Sequence, residues 1–229
     1  MTAQSALKPE CPAMNATVET PPRFRNVGEL LHDLGEIPAD RIRLNPRPGD
    51  ATEADLLGPE GRLCELVDGV VVEKAIGYDE SLLTVELLLS LAAFVKRHRL
   101  GEVTGPDGTL RLIPGLVRIP DIAFIARGRL PKRGEPRSPI PDLAPDLVVE
   151  VLSKGNSKAE LKRKLREYFE AGVRLAWLVD PKARTVVVHT SAKASKKLAV
   201  GSTLEGGEVL PGFALPLAEL FECLDRRDG

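Results

Sequence analysis

Two carboxylates set in apolar runs are the residues of this chain best suited to chemistry. Asp121 sits in Arg118-Ile119-Pro120-Asp121-Ile122-Ala123-Phe124-Ile125, and Glu150 in Asp146-Leu147-Val148-Val149-Glu150-Val151-Leu152-Ser153. An ionised carboxylate among Ile, Val and Leu is strongly destabilised unless a cation or hydrogen bonds compensate. Two of them on neighbouring strands would also repel each other, so a positive group is expected between them. A divalent metal ion is the simplest candidate. Carboxylate-held metal beside a phosphate is an arrangement for phosphodiester hydrolysis.

A basic side chain is needed as well. Strand side chains alternate, so Glu150 shares a face with Val148 and Leu152. Nucleases of this plan commonly carry a lysine two residues after the second carboxylate, but Leu152 occupies that place. The following helix can supply one. With Leu161 at zero on a wheel of ~100° per residue, Leu165 and Tyr168 lie within about 40° and define the inward stripe. Lys164 lies roughly 60° to one side, with Glu160 on the same flank, while Lys162, Arg163 and Arg166 turn progressively outward. Lys164 is therefore the lysine best placed to reach Glu150. A purely structural Glu150–Lys164 ion pair is the competing explanation of the same spacing.

These residues need a scaffold, and the pattern supplies one. Residues 1–22 are polar and read as a disordered lead-in. Val27 to Leu34 reads as a short helix closed by Gly35, followed by an irregular wrap rich in Pro, Gly, Asp and Arg. Leu63–Val67 and Val70–Glu73 flank Asp68-Gly69, a hairpin signal. A long helix is expected from Asp79 to Arg99, ended by Gly101, with apolar residues around much of its circumference and so largely buried. A second hairpin turns at Pro114-Gly115, and its return strand, Leu116 to Ile125, carries Asp121. A basic, Pro-rich loop spans Ala126 to Pro145. Leu147–Leu152 and Arg174–Val179 read as buried strands joined by a helix from Lys158 to Ala171, a right-handed parallel crossover. Further strand-like pieces and a terminal helix, Leu217 to Leu224, complete a mixed sheet flanked by helices, an α/β fold.

Composition narrows the function. Lys and Arg number 32 against 33 Asp and Glu, so nucleic-acid binding would have to rest on local basic patches. Cys11, Cys64 and Cys223 form neither a zinc pattern nor a disulfide framework, and His32, His98 and His189 are equally scattered. A histidine-built metal site is not expected. Leu82 to Val95, interrupted by Thr84, Glu86 and Ser90, is too short and polar to span a bilayer. A soluble, cytoplasmic protein with no membrane partner is expected.

As an ordered set, Glu65-Leu-Val-Asp-Gly, Pro120-Asp121, Glu150-Val-Leu-Ser153, Lys164, Tyr168, Gly172-Val173, Trp177-Leu-Val-Asp180-Pro181 and Pro211-Gly212-Phe213 resemble the Uma-type restriction endonuclease family of the PD-(D/E)XK nuclease superfamily. The resemblance covers about residues 60 to 222. It implies a restriction-endonuclease-like core, so the nuclease domain is expected at 60–224, after the helix and wrap read from the pattern at 23–59. It also implies a lysine displaced from the strand onto the next helix. Carried over, Asp121 and Glu150 are metal ligands, Lys164 is the catalytic cation and Glu65 an accessory acid. Ser153, Tyr168 and Glu160 become supporting groups around them. Two positions depart from the family: Tyr78-Asp79-Glu80 stands where a histidine is common, and Glu160 where an aspartate is.

The expected activity is a metal-dependent DNA endonuclease using Mg, with Mn as a substitute, and with a strand carbonyl from Val151 or Leu152 as a further ligand. Candidate phosphate contacts are Arg127, Arg129, Lys132, Arg133 and Arg137 in the loop, and Lys158, Lys162, Arg163 and Arg166 on the helix. Enzymes that cut both strands often pair, so a homodimer is compatible. The alternative is a non-catalytic nucleic-acid-binding or regulatory protein on the same fold.

Overall fold

In the computed structural model, which describes residues 23–75, 77–132 and 138–225, the chain order runs from α1 (Val27–Asp33) through short 3-10 turns to β1 (Cys64–Val67) and β2 (Val70–Glu73). There follow α2 (Tyr78–His98), β3 (Gly101–Thr104), β4 (Leu110–Ile113), β5 (Leu116–Arg118), β6 (Ile122–Ala126), β7 (Leu147–Val151), α3 (Lys158–Glu170) and β8 (Leu175–Asp180). The chain ends in β9 (Thr185–His189), β10 (Ser195–Ala199), β11 (Thr203–Gly206), β12 (Leu210–Pro216) and α4 (Leu217–Glu222). The expected lead-in over residues 1–22, and Arg133 and Arg137 of the basic loop, lie outside the described residues.

Six strands form a mixed central sheet in the order β10-β9-β8-β7-β6-β3, and a second sheet runs β2-β1-β5-β4. β7 and β8 are parallel, joined across α3 as the strand–helix–strand pattern requires. Alternation along β7 sorts its side chains into two cores. Leu147, Val149 and Val151 face α2, α4 and the C-terminal strands, where Trp177 stacks on Phe213 with ring centroids 5.7 Å apart. Val148 faces α3 and the second sheet, in a cluster with Leu165, Tyr168, Val70 and Leu112. Leu34, Ile37 and Ile42 of the N-terminal segment join that cluster, so the wrap is packed in.

Three expectations need correction. The return strand of the second hairpin is two strands, not one. β5 pairs with β1 and β4, whereas β6 pairs with β7 and β3 in the central sheet. The break falls at Ile119-Pro120-Asp121, where proline has no N–H to donate to a ladder. The long helix is not buried all round: Leu83, Leu87, Leu91 and Val95 form one buried stripe, while Val85 and Leu89 are 49% and 61% exposed. Gly101 does not cap that helix, since Arg99 takes the left-handed position at φ 55°. Gly101 instead begins β3, an unexpected strand. A Cβ there would meet the Ile125 carbonyl oxygen at 1.9 Å, so only glycine lets the two strands approach.

Candidate active site

Asp121 and Glu150 stand at the adjoining ends of two paired strands. Ile122, the first residue of β6, pairs with Val149 of β7, so Asp121 immediately precedes the ladder and Glu150 immediately follows its last pair. The Asp121 N–H donates to Val149 O at 3.0 Å. Its side chain then ends the ladder, because Oδ2 accepts the Val151 N–H at 2.6 Å. Glu150, pointing to the α3 side with Val148, is only 5% exposed.

Helix α3 delivers Lys164 to that carboxylate, as the wheel predicts. Ser157 caps the helix by accepting the Glu160 N–H at 2.9 Å. Lys164 Nζ lies 3.2 Å from both Glu150 oxygens and 3.3 Å from Glu65 Oε1. One turn on, the Tyr168 hydroxyl donates a short hydrogen bond to Glu150 Oε1. Glu65, fully buried on β1, accepts from Arg118 Nη1 at 2.7 Å and from the Ile119 N–H at 3.1 Å. Glu65, Glu150, Lys164 and Tyr168 therefore converge, while Asp121 pairs with other groups and acts on Glu150 through its charge.

Electrostatics divides the carboxylates. Burial alone would push Glu65 up, but the Lys164 ammonium and Arg118 guanidinium overcome it and hold the carboxyl at about 2. Glu150 moves the other way. Burial raises it against the pull of Lys164, and Asp121 and Glu65 add to the rise. Burial and the same two glutamates keep the Tyr168 phenol well above its ordinary range, so it stays a neutral donor. Lys164 is raised, because Glu150 and Glu65 outweigh its burial.

Four partners escaped the sequence analysis. Arg118 bridges Glu65 to Glu167, and Glu167 continues to Arg163 at 2.6 Å. Arg163 in turn reaches Asp68 at 2.6 Å, so it is a network member and not the outward-facing cation expected. Arg41 holds Glu160 through two hydrogen bonds of 2.9 and 3.1 Å, drawing that acid away from Lys164. Lys74, just past β2, lies 2.8 Å from Asp121 Oδ1. A lone arginine or lysine near a strand end carries no periodic signal, and only the tertiary fold reveals these pairings. Ser153 organises the turn after β7, donating to Asn156 Oδ1 at 3.1 Å and accepting the Gly155 N–H at 3.3 Å.

The basic candidates are not gathered at one place. Arg127 and Arg129 follow the far end of β6, roughly 20 Å along the strand from Asp121 at ~3.3 Å per residue. Arg129 is held 3.4 Å from Asp146. Lys132 is exposed beyond them. Lys158, Lys162 and Arg166 are exposed on α3, whose N-terminal end lies at the site, and Arg166 is 3.9 Å from Glu170.

Asp121 and Lys74 border a cavity of about 430 Å³, and a neighbouring one of about 1070 Å³ includes Ser153, Arg41 and Lys154. Among the described residues no group of three or more His, Cys, Asp or Glu is placed to cage a metal. Asp121 and Glu150 are the two carboxylates that could hold an ion, with water and phosphate completing its shell, as magnesium commonly allows. The Glu150 carboxyl is raised first by burial and further by the charges of Asp121 and Glu65, and a bound cation would favour its ionised form. Among the described residues no helix is long and apolar enough to cross a membrane.

A crystal structure of a putative nuclease belonging to DUF820 from Anabaena variabilis superposes with a TM-score of 0.64 at 20% identity, over 70% of this chain and 90% of that one. It shares the fold. No curated protein matches the chain. The family model described as "Uma2: Putative restriction endonuclease" matches residues 53–218, from the 3-10 turn before β1 into α4. The chain belongs to the Uma2 family.

Proposed function

We propose that this protein is a divalent-metal-dependent endonuclease that hydrolyses phosphodiester bonds in DNA. The observation that carries this reading is the placement of Asp121 and Glu150 at the adjoining ends of paired strands, close enough for the Asp121 charge to act on Glu150, with Asp121 opening on a cavity. Membership of a family described as restriction endonucleases, and the likeness to a nuclease structure, support it. Asp121 and Glu150 would hold magnesium, or manganese in its place. The ion, when bound, neutralises phosphate charge and makes a coordinated water more acidic.

The remaining roles fall to the chain's own groups. The Tyr168 hydroxyl and Lys164 ammonium fix the Glu150 carboxylate from the α3 side, leaving its orientation set before substrate arrives. Glu65, ionised under Lys164 and Arg118, keeps the lysine charged and anchored. The Val151 N–H orients Asp121. Exposed Lys158 and Lys162 would meet backbone phosphates.

One observation favours a second reading. Lys74 already neutralises Asp121, and Lys164 neutralises Glu150, so the cluster is also a workable set of ion pairs for a non-catalytic nucleic-acid-binding protein. Plasmid nicking separates the two. Cleavage by the wild type in magnesium or manganese, abolished by EDTA and by Asp121→Asn, is the expected result. Plasmid bound but left intact under every divalent ion supports the second reading.

A further inference from the structure

Two lysines stand at this site, and their surroundings differ. Lys164 is 3% exposed, lies among three carboxylate oxygens of Glu150 and Glu65, and borders neither of the two cavities at this end of the sheet. To meet a ligand there it would have to leave both glutamates, stranding two buried anions. Lys74 is nearly as buried, its side chain 7% exposed against 4% for Lys164, and differs in what it borders. Its Nζ lies 2.8 Å from Asp121 Oδ1 and 3.0 Å from Pro106 O, and its side chain forms part of the cavity wall beside Asp121.

An ammonium carries three N–H donors. Asp121 and Pro106 take two of those of Lys74 among the described residues, and a ligand in the cavity can take the third. The same wall includes apolar Leu63, Val85 and Leu88, a surface suited to a sugar or base next to a charged phosphate. Both halves of a nucleotide unit thus find a chemical match within one space of about 430 Å³.

We propose that Lys74 is the catalytic ammonium of this site, touching a non-bridging oxygen of the scissile phosphate, and that Lys164 is a positioning residue acting through Glu150 and Glu65. The proposal rests on the nuclease reading. Lys164 balances buried charge behind the carboxylates, while Lys74 faces the substrate.

The test uses Lys74→Gln, which keeps N–H donors for Pro106 and Asp121 while removing the charge, and Lys74→Arg, which keeps the charge. Duplex binding is followed by fluorescence anisotropy over a range of salt, and single-turnover cleavage is measured in magnesium. Lys74→Gln is expected to cut about 10²–10³ more slowly, as for loss of a donor to a developing oxyanion. The slope of log affinity against log salt should fall by about 0.9, one phosphate contact. Lys74→Arg should keep the wild-type slope, whereas a merely structural Lys74 would leave the slope unchanged in Lys74→Gln as well. Wild-type cleavage and slope in a folded Lys74→Gln overturn the assignment while leaving the nuclease reading intact. A wild-type protein that neither binds nor cuts duplex overturns both.

Discussion

Lys164→Met removes the cation between Glu150 and Glu65 while nearly keeping the side-chain volume. The ammonium lies 3.2–3.3 Å from three carboxylate oxygens, so its loss leaves two buried acids facing each other. Breaking a buried pair by deleting one partner costs about 3–5 kcal/mol. A chain of this size has roughly 5–15 kcal/mol in all. The midpoint of thermal unfolding should therefore fall by roughly 6–20 °C, at 2–4 °C per kcal/mol. Glu65 keeps Arg118 and Glu150 keeps Tyr168, and either acid can take up a proton, so the lower half of that range is expected at neutral pH. Urea denaturation with an unchanged m value is the assay. The double variant Lys164→Met/Glu150→Gln should recover part of the loss, because the stranded charge has gone. A single variant within ~0.5 kcal/mol of wild type, the range of ordinary surface changes, would refute the view of Lys164 as the centre of a buried charge cluster.

Two further outcomes follow from the same geometry. Glu65, held at about 2 against an ordinary 4.5, contributes stability that is complete above its ordinary range and is lost as pH falls through about 2, since the unfolded chain binds the proton first. Acid unfolding curves should show that component in the wild type and lack it in Glu65→Gln; superimposable curves would contradict the pairing. On the exposed side of α3, Lys158→Ala with Lys162→Ala should lower the salt slope of duplex binding by about 0.9 for each phosphate these lysines neutralise. An unchanged slope would take that face out of the interface.

The parts of the fold legible in the sequence were those with a period or a turn. The Asp68-Gly69 hairpin, the α3 stripe and the β7–α3–β8 crossover each carry such a signal, and each is present. The wheel placed Lys164 toward Glu150 because both residues lie in one local unit, where 3.6- and 2-residue periods decide direction. The rest depends on distant segments. Arg41 meets Glu160 across 119 positions, and Arg118 meets Glu65 across 53, so no local pattern announces either. The split between β5 and β6 was hidden because apolar residues continue on both sides of Pro120-Asp121, where the break falls. Val85 and Leu89 looked like core because helical periodicity reports hydrophobicity and not what packs against it. Arg127 and Arg129 looked close to Asp121 in sequence, but an extended strand carries them away from it.

The most direct test of the site is calorimetric titration of the folded protein with manganese, on the wild type and on Asp121→Asn/Glu150→Gln. One ion per chain bound by the wild type, and none by the double variant at a temperature where circular dichroism shows it folded, is the predicted result. Equal binding by both, or no binding by the wild type in the presence of duplex DNA, would contradict the assignment of Asp121 and Glu150 as the pair that holds the ion.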